Sequence, residues 1–258
     1  MSGSLSIAVT GATGRMGQTV RDLAQDRGIE VALAVNRDAS GADVEPAAAF
    51  ADGLAAQDPD VVVDFTGPDS AVEYVETAAA AGVPVVTGTT GFDEDQLAAL
   101  EAAGEQVPVL LGANFARGIQ ALLGAVERAV EALPEYDVEL TETHHNGKRD
   151  APSGTADVIL SEIEATRGDS GERVYGREGV APREDGEIGV HARRAGDVTG
   201  EHEVLLAGNQ EVLSLTHRAG SRSVFAAGAL DAAAWLVAQP AGFYRFADVA
   251  TDVAGGDR

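Results

Sequence analysis

The sequence predicts an α/β protein in two parts: a doubly wound parallel sheet flanked by helices, and a smaller α+β domain on an open mixed sheet. Three observations predict it. From about residue 5 to 133, short apolar runs alternate with stretches of helical period, the signature of parallel strands wound by helices. A glycine-rich turn joins the first strand to the first helix. Beyond Pro134 the pattern changes to strand-like stretches near 137–143, 187–193, 201–207 and 211–217, with one helix, after Pro152, among them.

The first strand is Leu5-Ser6-Ile7-Ala8-Val9-Thr10. Gly11-Ala12-Thr13-Gly14-Arg15-Met16-Gly17 follows, and Met16, Val20, Leu23 and Ala24 then recur at helical spacing. Strand, G-x-x-G-x-x-G turn and helix make the first unit of a Rossmann-like dinucleotide-binding domain. Glycines let the backbone approach a pyrophosphate, which sits at the helix N-terminus. The second strand, Val31–Val35, ends where a ribose is usually read. An acid there would bind the 2′-hydroxyl of NADH. Asn36 and Arg37 stand there instead, which favours the 2′-phosphate of NADPH.

Val61 to Thr66 is a continuous apolar run, as expected of a strand buried on both faces. Gly67-Pro68 breaks it, and a helix follows over about 69–81. Residues 83–87 form the next strand, ending in Gly88-Thr89-Thr90-Gly91-Phe92. A helix spans about 93–103, then a strand 107–111, then Ala113-Asn114-Phe115. Ligands of such sheets bind beyond the carboxyl ends of the strands, so Thr66, Gly88, Thr89, Thr90, Ala113, Asn114 and Phe115 join the candidate cofactor residues. A long helix over about 118–133 stops at Pro134. Residues 168–185, rich in Gly, Arg and Glu, read as a loop. Residues 223–239 return to helix, apolar on most sides, and should pack back on the first domain. The domains are therefore expected at 1–115 with 223–258, for the dinucleotide, and at 116–222, for substrate and oligomerisation.

Composition narrows the function. The 258 residues are 45% hydrophobic, ample for two cores. There is no cysteine, hence no disulfide and no thiolate nucleophile. The first strand starts too early to leave room for a signal peptide, and the apolar run 226–238 is broken by Asp231 and too short to span a bilayer. The expectation is a soluble cytoplasmic protein. With 42 acidic against 18 basic residues the net charge is −24, which disfavours nucleic acid and anionic membranes as partners. The acids are spread along the whole chain. At molar salt the Debye length falls to about 3 Å and their repulsion fades. Acid excess with near-total loss of lysine is the composition expected of a halophilic protein in a salt-rich cytoplasm.

The densest chemistry lies in His144-His145-Asn146-Gly147-Lys148-Arg149-Asp150-Ala151-Pro152-Ser153-Gly154-Thr155. Lys148 is the only lysine of the chain, and a compact ammonium is not interchangeable with the planar fork of arginine. The stretch runs strand, loop, helix start. The Ser153-Gly154-Thr155 amides would open a helix, a ready site for a carboxylate or phosphate, and Lys148 and a histidine could add charge to the same anion. Ser153 alone could be a simple N-cap, Asp150 a loop tie and the histidines solvated surface. A zinc site is disfavoured, because adjacent histidines point apart and no third ligand sits at helical spacing.

These motifs carry a resemblance. Gly11–Gly17, Asp64-Phe65-Thr66, Gly88–Phe92, Ala113–Phe115, the block from His144-His145 through Lys148 to Asp150–Ala156, and Arg194-Ala195-Gly196-Asp197 with Gly200-Glu201-His202 together resemble the 4-hydroxy-tetrahydrodipicolinate reductases, over nearly the whole chain. Many members carry an acid where this chain has Asn36. The resemblance implies NAD(P)H-dependent reduction of a cyclic imine dicarboxylate, with loss of water, on the diaminopimelate route to lysine. It implies His144 as proton donor and Lys148 as the group that binds a carboxylate and holds the ring. Ser153, Gly154 and Thr155 would receive a carboxylate, supported by His145. It also implies a homotetramer built through the second domain. Two other classes are weighed against it. A semialdehyde-type dehydrogenase needs a cysteine nucleophile, which is absent. A non-catalytic dinucleotide sensor would need no 144–155 block.

Overall fold

A computed structural model describes residues 4–38, 43–168 and 171–249. The chain divides into two compact units, Met1–Phe115 with Arg222–Arg258, and Ala116–Ser221.

In the first unit the elements are β1 (Ser6–Thr10), α1 (Arg15–Asp26), β2 (Glu30–Asn36), β3 (Glu45–Pro46), a short 3-10 turn (Ala47–Ala49), α2 (Phe50–Gln57), β4 (Val61–Asp64), α3 (Pro68–Ala80), β5 (Val85–Thr87), α4 (Glu94–Gly104) and β6 (Pro108–Leu111). After the second unit the chain returns as α7 (Ser223–Leu236) and β12 (Gly242–Arg245). The seven strands lie in the order β12-β6-β5-β4-β1-β2-β3, all pairs parallel. The strand order reverses between β1 and β4, the crevice where ligands of such sheets bind.

Alternation along the strands builds two cores, one on each face. Ile7, Val9, Val61, Val63, Val86 and Leu110 face one side, with Val20 and Ala24 of α1 and the alanines of α7. Ala8, Val62, Val85, Val109 and Leu111 face the other, against α2, α3 and α4. Each valine, leucine or isoleucine among them, fully buried, contributes about 1.5–3 kcal/mol. α7 is apolar on nearly every side because it is buried on nearly every side. Helix ends follow local chemistry: Pro68 opens α3 at its first turn, and Asp93 with Gln96 forms a reciprocal capping box on α4.

The second unit holds α5 (Arg117–Ala132), β7 (Asp137–His144), α6 (Gly154–Arg167), β8 (Arg173–Tyr175), β9 (Ile188–Arg194), β10 (Glu201–Gly208) and β11 (Glu211–Arg218). Its sheet runs β11-β10-β7-β9-β8 and is mixed: β7 pairs antiparallel with β10 and parallel with β9. Val138 and Leu140 of β7, Ile188 and Val190 of β9, and Val204 and Leu206 of β10 are buried, as are Ile159, Leu160 and Ile163 of α6. The stretch 168–185, read as loop, contains β8. Three residues at a sheet edge leave no periodic signal; pairing of Arg173–Tyr175 with Ile188–Val190 makes the strand. The reading from sequence also lacks α2, β3 and β12, all short.

Candidate active site

At the carboxyl ends of the first unit's strands the predicted cofactor residues fall along one edge of the sheet. Gly11 leaves β1 with φ +69°, and a Cβ there would lie 2.5 Å from the Phe65 carbonyl oxygen. A Cβ on Gly17 would lie 2.1 Å from the Gly11 oxygen, so the close packing of the turn on the start of α1 requires glycine at both positions. Gly14 caps α1 with no side-chain hydrogen bond, and the helix has no acid in its first turn. A free N-terminus of this kind suits an anion, so these residues fit a dinucleotide pyrophosphate. Ala12 is fully buried, Met16 packs on the core, and Thr13 and Arg15 flank them at the turn. Thr13 accepts a hydrogen bond from Gln18 through its carbonyl.

Asn36 ends β2 and Arg37 follows it, exposed. Arg37, Phe50, Ser70, Glu73, Tyr74 and Thr77 line a cavity of about 440 Å³. Burial and the charges of Asp64 and Glu73 raise the Tyr74 phenol, and Arg37 acts on it in the opposite direction. Phe115 is a core residue, its ring 5.9 Å from Phe65 and 5.0 Å from Phe246, and the residue as a whole is buried. Ala113 and Asn114 lie in the turn before it.

The loops after β4 and β5 are tied together by one carboxylate that pattern reading did not single out. Asp64 is fully buried and accepts four threonine hydroxyls: Thr10 and Thr66 at 2.7 Å on Oδ1, and Thr87 at 2.7 Å and Thr89 at 2.8 Å on Oδ2. The hydroxyls accept in turn: Thr66 N–H donates to Thr89 Oγ1 and Thr89 N–H to Thr87 Oγ1. Gly88 and Thr90 lie on either side of Thr89 in this braced loop.

In the second unit β7 carries Val138, Leu140, Glu142 and His144 on one face. Glu142 is fully buried and His144 is 9% exposed. His144 Nδ1 lies 2.5 Å from Glu142 Oε2, and Arg194 of β9 grips the same carboxylate with both terminal nitrogens, at 2.9 and 2.7 Å. Burial pushes the Glu142 carboxyl up, but the hydrogen bonds from His144 and Arg194 outweigh it and hold the group at about 2. His202 of β10 stands edge-on to His144, ring centroids 5.2 Å apart, and its Nε2 is 3.0 Å from Ser153 Oγ. Burial first, then the charges of His144, His217 and Lys148, lower the His202 imidazole to about 4 against the pull of Glu142.

Ser153 does cap α6: its hydroxyl accepts the Ala156 N–H at 3.2 Å. Gly154 and Thr155 are the first two residues of that helix. His202 thus links the end of β7 to the start of α6, and brings His144 and Ser153 into one cluster. Lys148 lies in the connecting loop, held by a turn to the His145 carbonyl, and its ammonium pairs with Asp150 at 2.9 Å. Burial would raise the Asp150 carboxyl, but the Lys148 hydrogen bond carries it below its usual value. His145 is half-buried beside Gly147. Glu142, Arg194 and His202 were not chosen as site residues from sequence. One signal was present: Glu142 lies two residues from Leu140 and His202 two residues from Val204, on strand faces that bury aliphatics, where an ionisable side chain needs a partner.

Comparison with known proteins agrees with both units. The family model described as dihydrodipicolinate reductase, N-terminus, matches residues 5–115, and the one described as dihydrodipicolinate reductase, C-terminus, matches 118–250. The chain is 57% identical over 246 residues to a 4-hydroxy-tetrahydrodipicolinate reductase of Natronomonas pharaonis, covering 95% of this chain and 99% of the other. It is 56% identical over 247 residues to the enzyme of the same name from Haloarcula marismortui, covering 94% and 98%. In fold it is similar to a dipicolinate-bound dihydrodipicolinate reductase from Paenisporosarcina sp. TG-14, with a TM-score of 0.75 at 23% identity, covering 94% and 98%.

Proposed function

Because the chain belongs to the dihydrodipicolinate reductase family, we propose that it performs the reaction its relatives are named for. That reaction is the NAD(P)H-dependent reduction of 4-hydroxy-tetrahydrodipicolinate to tetrahydrodipicolinate, with loss of water, in diaminopimelate and lysine biosynthesis. The observation that carries the reading to this chain is the cluster of His144, His202 and Ser153 beside the loop of the only lysine.

When bound, the cofactor supplies a hydride to the substrate ring. The protein's own residues do the rest. Lys148 exchanges Asp150 for a substrate carboxylate and fixes the ring. The α6 N-terminus at Ser153, Gly154 and Thr155 receives a carboxylate, with His145 supporting the same anion. His144 is the general acid: its N–H bond breaks, the electron pair stays on the imidazole, and the proton joins the ring as the hydride is added. Positioning of two reactants is a large part of the acceleration. The glycine cradle of residues 11–17, Thr66, Gly88, Thr89, Thr90 and the backbone of 113–115 hold the dinucleotide in this reading.

The Asn36-Arg37 pair and the cavity beside it support a preference for NADPH. An uncharged Asn36 removes a repulsion, and Arg37 can pair with a 2′-phosphate. A homotetramer is supported by β11, an edge strand that leaves Val212 62% and Leu213 37% exposed. The acidic excess supports adaptation to concentrated salt, read out as a melting temperature that rises with molar KCl. The deciding experiment follows absorbance at the NADPH band with freshly made substrate in molar KCl, then repeats it with NADH. Consumption only with substrate present supports the reductase. Tight binding without consumption would make the protein a sensor, and equal efficiency with NADH would remove the role given to Arg37.

A further inference from the structure

We propose that Glu142 is the positioning residue of the proton donor: its carboxylate anchors Nδ1–H of His144, so that the imidazole exchanges protons at Nε2 alone. The inference rests on the reading of His144 as that donor.

Four features of the geometry support it. The Nδ1 to Oε2 separation of 2.5 Å is short for a nitrogen–oxygen hydrogen bond, and the oxygen belongs to a residue with no exposed surface. Glu142 is itself held rigid by the two-pronged grip of Arg194. Arg194 is tied in turn to the Asp150 carbonyl at 2.5 Å, so the carboxylate, the ring and the Lys148 loop share one frame. Nε2 points the other way, toward Gly200. A Cβ at that position would stand 3.1 Å from Nε2, so a glycine keeps the reactive side of the ring clear.

A neutral histidine carries its proton on one nitrogen only, and the partner of the other nitrogen decides which. With a buried carboxylate at Nδ1, that nitrogen keeps its hydrogen in both protonation states. The ring then cycles between imidazolium and the Nδ1–H tautomer. Proton loss leaves the lone pair on Nε2, and the ring does not need to flip between turnovers. Other ionisable groups face this pocket: Arg194 on β9, His202 on β10, His217 on β11, and Lys148 with Asp150 in the loop. All are cationic or neutral except Glu142 and Asp150, and Asp150 is already paired with Lys148. Removal of Glu142 therefore leaves His144 among positive neighbours.

The bland alternative is that Glu142 only ties β7 to β9 through Arg194. The two readings separate in the pH dependence of the rate. Glu142→Gln should lower kcat roughly 10²-fold or more, with the substrate KM changed by less than about threefold. It should also move the alkaline limb of the profile down by about one pH unit or more, because the imidazolium has lost its counter-charge. Glu142→Asp should bring the limb part of the way back. A purely structural tie predicts an unmoved limb, and that result, or a near-wild-type kcat, overturns the proposal. Removing one partner of a buried pair can prevent folding, so the wild-type full-length protein gives a second test. The nitrogen-15 shifts of His144, identified by their loss in His144→Gln and followed over about pH 5–9, should show Nδ1 protonated throughout and Nε2 titrating. A neutral form protonated at Nε2 would refute the proposal whatever the variants do. Should His144→Gln keep its turnover, the donor assignment falls, while the tautomer still decides the role of Glu142.

Discussion

Asp64 in the first unit and Glu142 in the second are both wholly buried carboxylates, and they are satisfied in opposite ways. Asp64 accepts four threonine hydroxyls, all neutral, at 2.7–2.8 Å. Four donors fill the acceptor sites of a carboxylate, and none of them changes charge in the physiological range. Glu142 instead meets an arginine and a histidine, a cation and a ring that can carry a proton on either nitrogen. The difference teaches what each anion is for. The hydroxyl cradle fixes the loops that follow β1, β4 and β5, and its output is shape. The charged cluster couples geometry to protonation, and its output is a proton held at a chosen atom. Changes in the first should therefore read out as cofactor affinity and stability, and changes in the second as rate and pH dependence.

The largest effect is expected at His144, the proposed proton donor. His144→Gln should lower kcat by about 10²–10⁴-fold, the range of a positioned acid, and leave the NADPH KM nearly unchanged. Stopped-flow or steady-state rates at saturating NADPH check this. A variant that kept its turnover and lost only substrate affinity would move the proton transfer to water or another group.

Asp64→Asn tests the other side of the comparison. The amide offers one acceptor oxygen where the carboxylate offered two, and it turns a donor toward hydroxyls that were themselves donating. Stability should fall on the order of 3 kcal/mol, measured by urea titration. The NADPH KM should rise as the loops at Thr66 and Thr89 loosen, and the alkaline limb of the rate profile should stay in place. A displaced limb with an unchanged NADPH KM would show that Asp64 serves protonation after all.

Lys148→Arg should come next. It preserves charge and lengthens the side chain into a planar fork, which misplaces a ring held by its carboxylate. A displacement of about 1 Å can cost roughly 10²-fold in rate. Both kcat and substrate KM should suffer, with NADPH binding intact. Near-wild-type kinetics would return Lys148 to the surface, as a residue that happened to survive in a chain of arginines.

The two carboxylates also differ in how legible they were. β1, β4 and the glycine turn are written locally, in continuous apolar runs and in spacing, so the wound parallel sheet and the mixed second sheet are legible in the sequence. Asp64 stood inside a recognisable Asp-Phe-Thr motif, but its four partners come from positions 10, 66, 87 and 89, and only the parallel register of β1, β4 and β5 brings them to one point. The partners of Glu142 are farther still. Arg194 arrives because His144 pairs in register with Arg194 on β9, and His202 because Glu142 pairs with His202 on β10. Periodicity gives the face of a strand; it does not give its neighbour. The short strands β3, β8 and β12 were missed for the same reason, since each exists through pairing rather than pattern.

The smallest predicted effect bears on stability rather than rate, and it comes from the histidine that bridges His144 and Ser153. His202 is held at about 4 in the folded protein, chiefly by burial, against an ordinary value of 6.5. Above pH 6.5 neither the folded nor the unfolded chain protonates this ring, and its contribution to stability is fully present. Between 6.5 and about 4 the unfolded chain takes up a proton that the folded chain refuses, so stability falls as pH falls, and the loss is complete once the folded ring is also protonated. The loss should be at most about 3 kcal/mol. His202→Gln removes the titration and keeps a neutral donor for Ser153 Oγ. The difference between wild type and variant in unfolding free energy should shrink on the acid side of neutrality, over that window. Glu142 acts lower, between 4.5 and about 2, where its carboxyl must be protonated against His144 and Arg194. Asp64→Asn should leave the slope between 6.5 and 4 untouched, because none of the hydroxyls around it titrates. Parallel pH–stability curves for wild type and His202→Gln would show that the buried imidazole carries no proton debt, and the contrast between a cradle of fixed shape and a cluster that responds to protons would then rest on Glu142 and His144 alone.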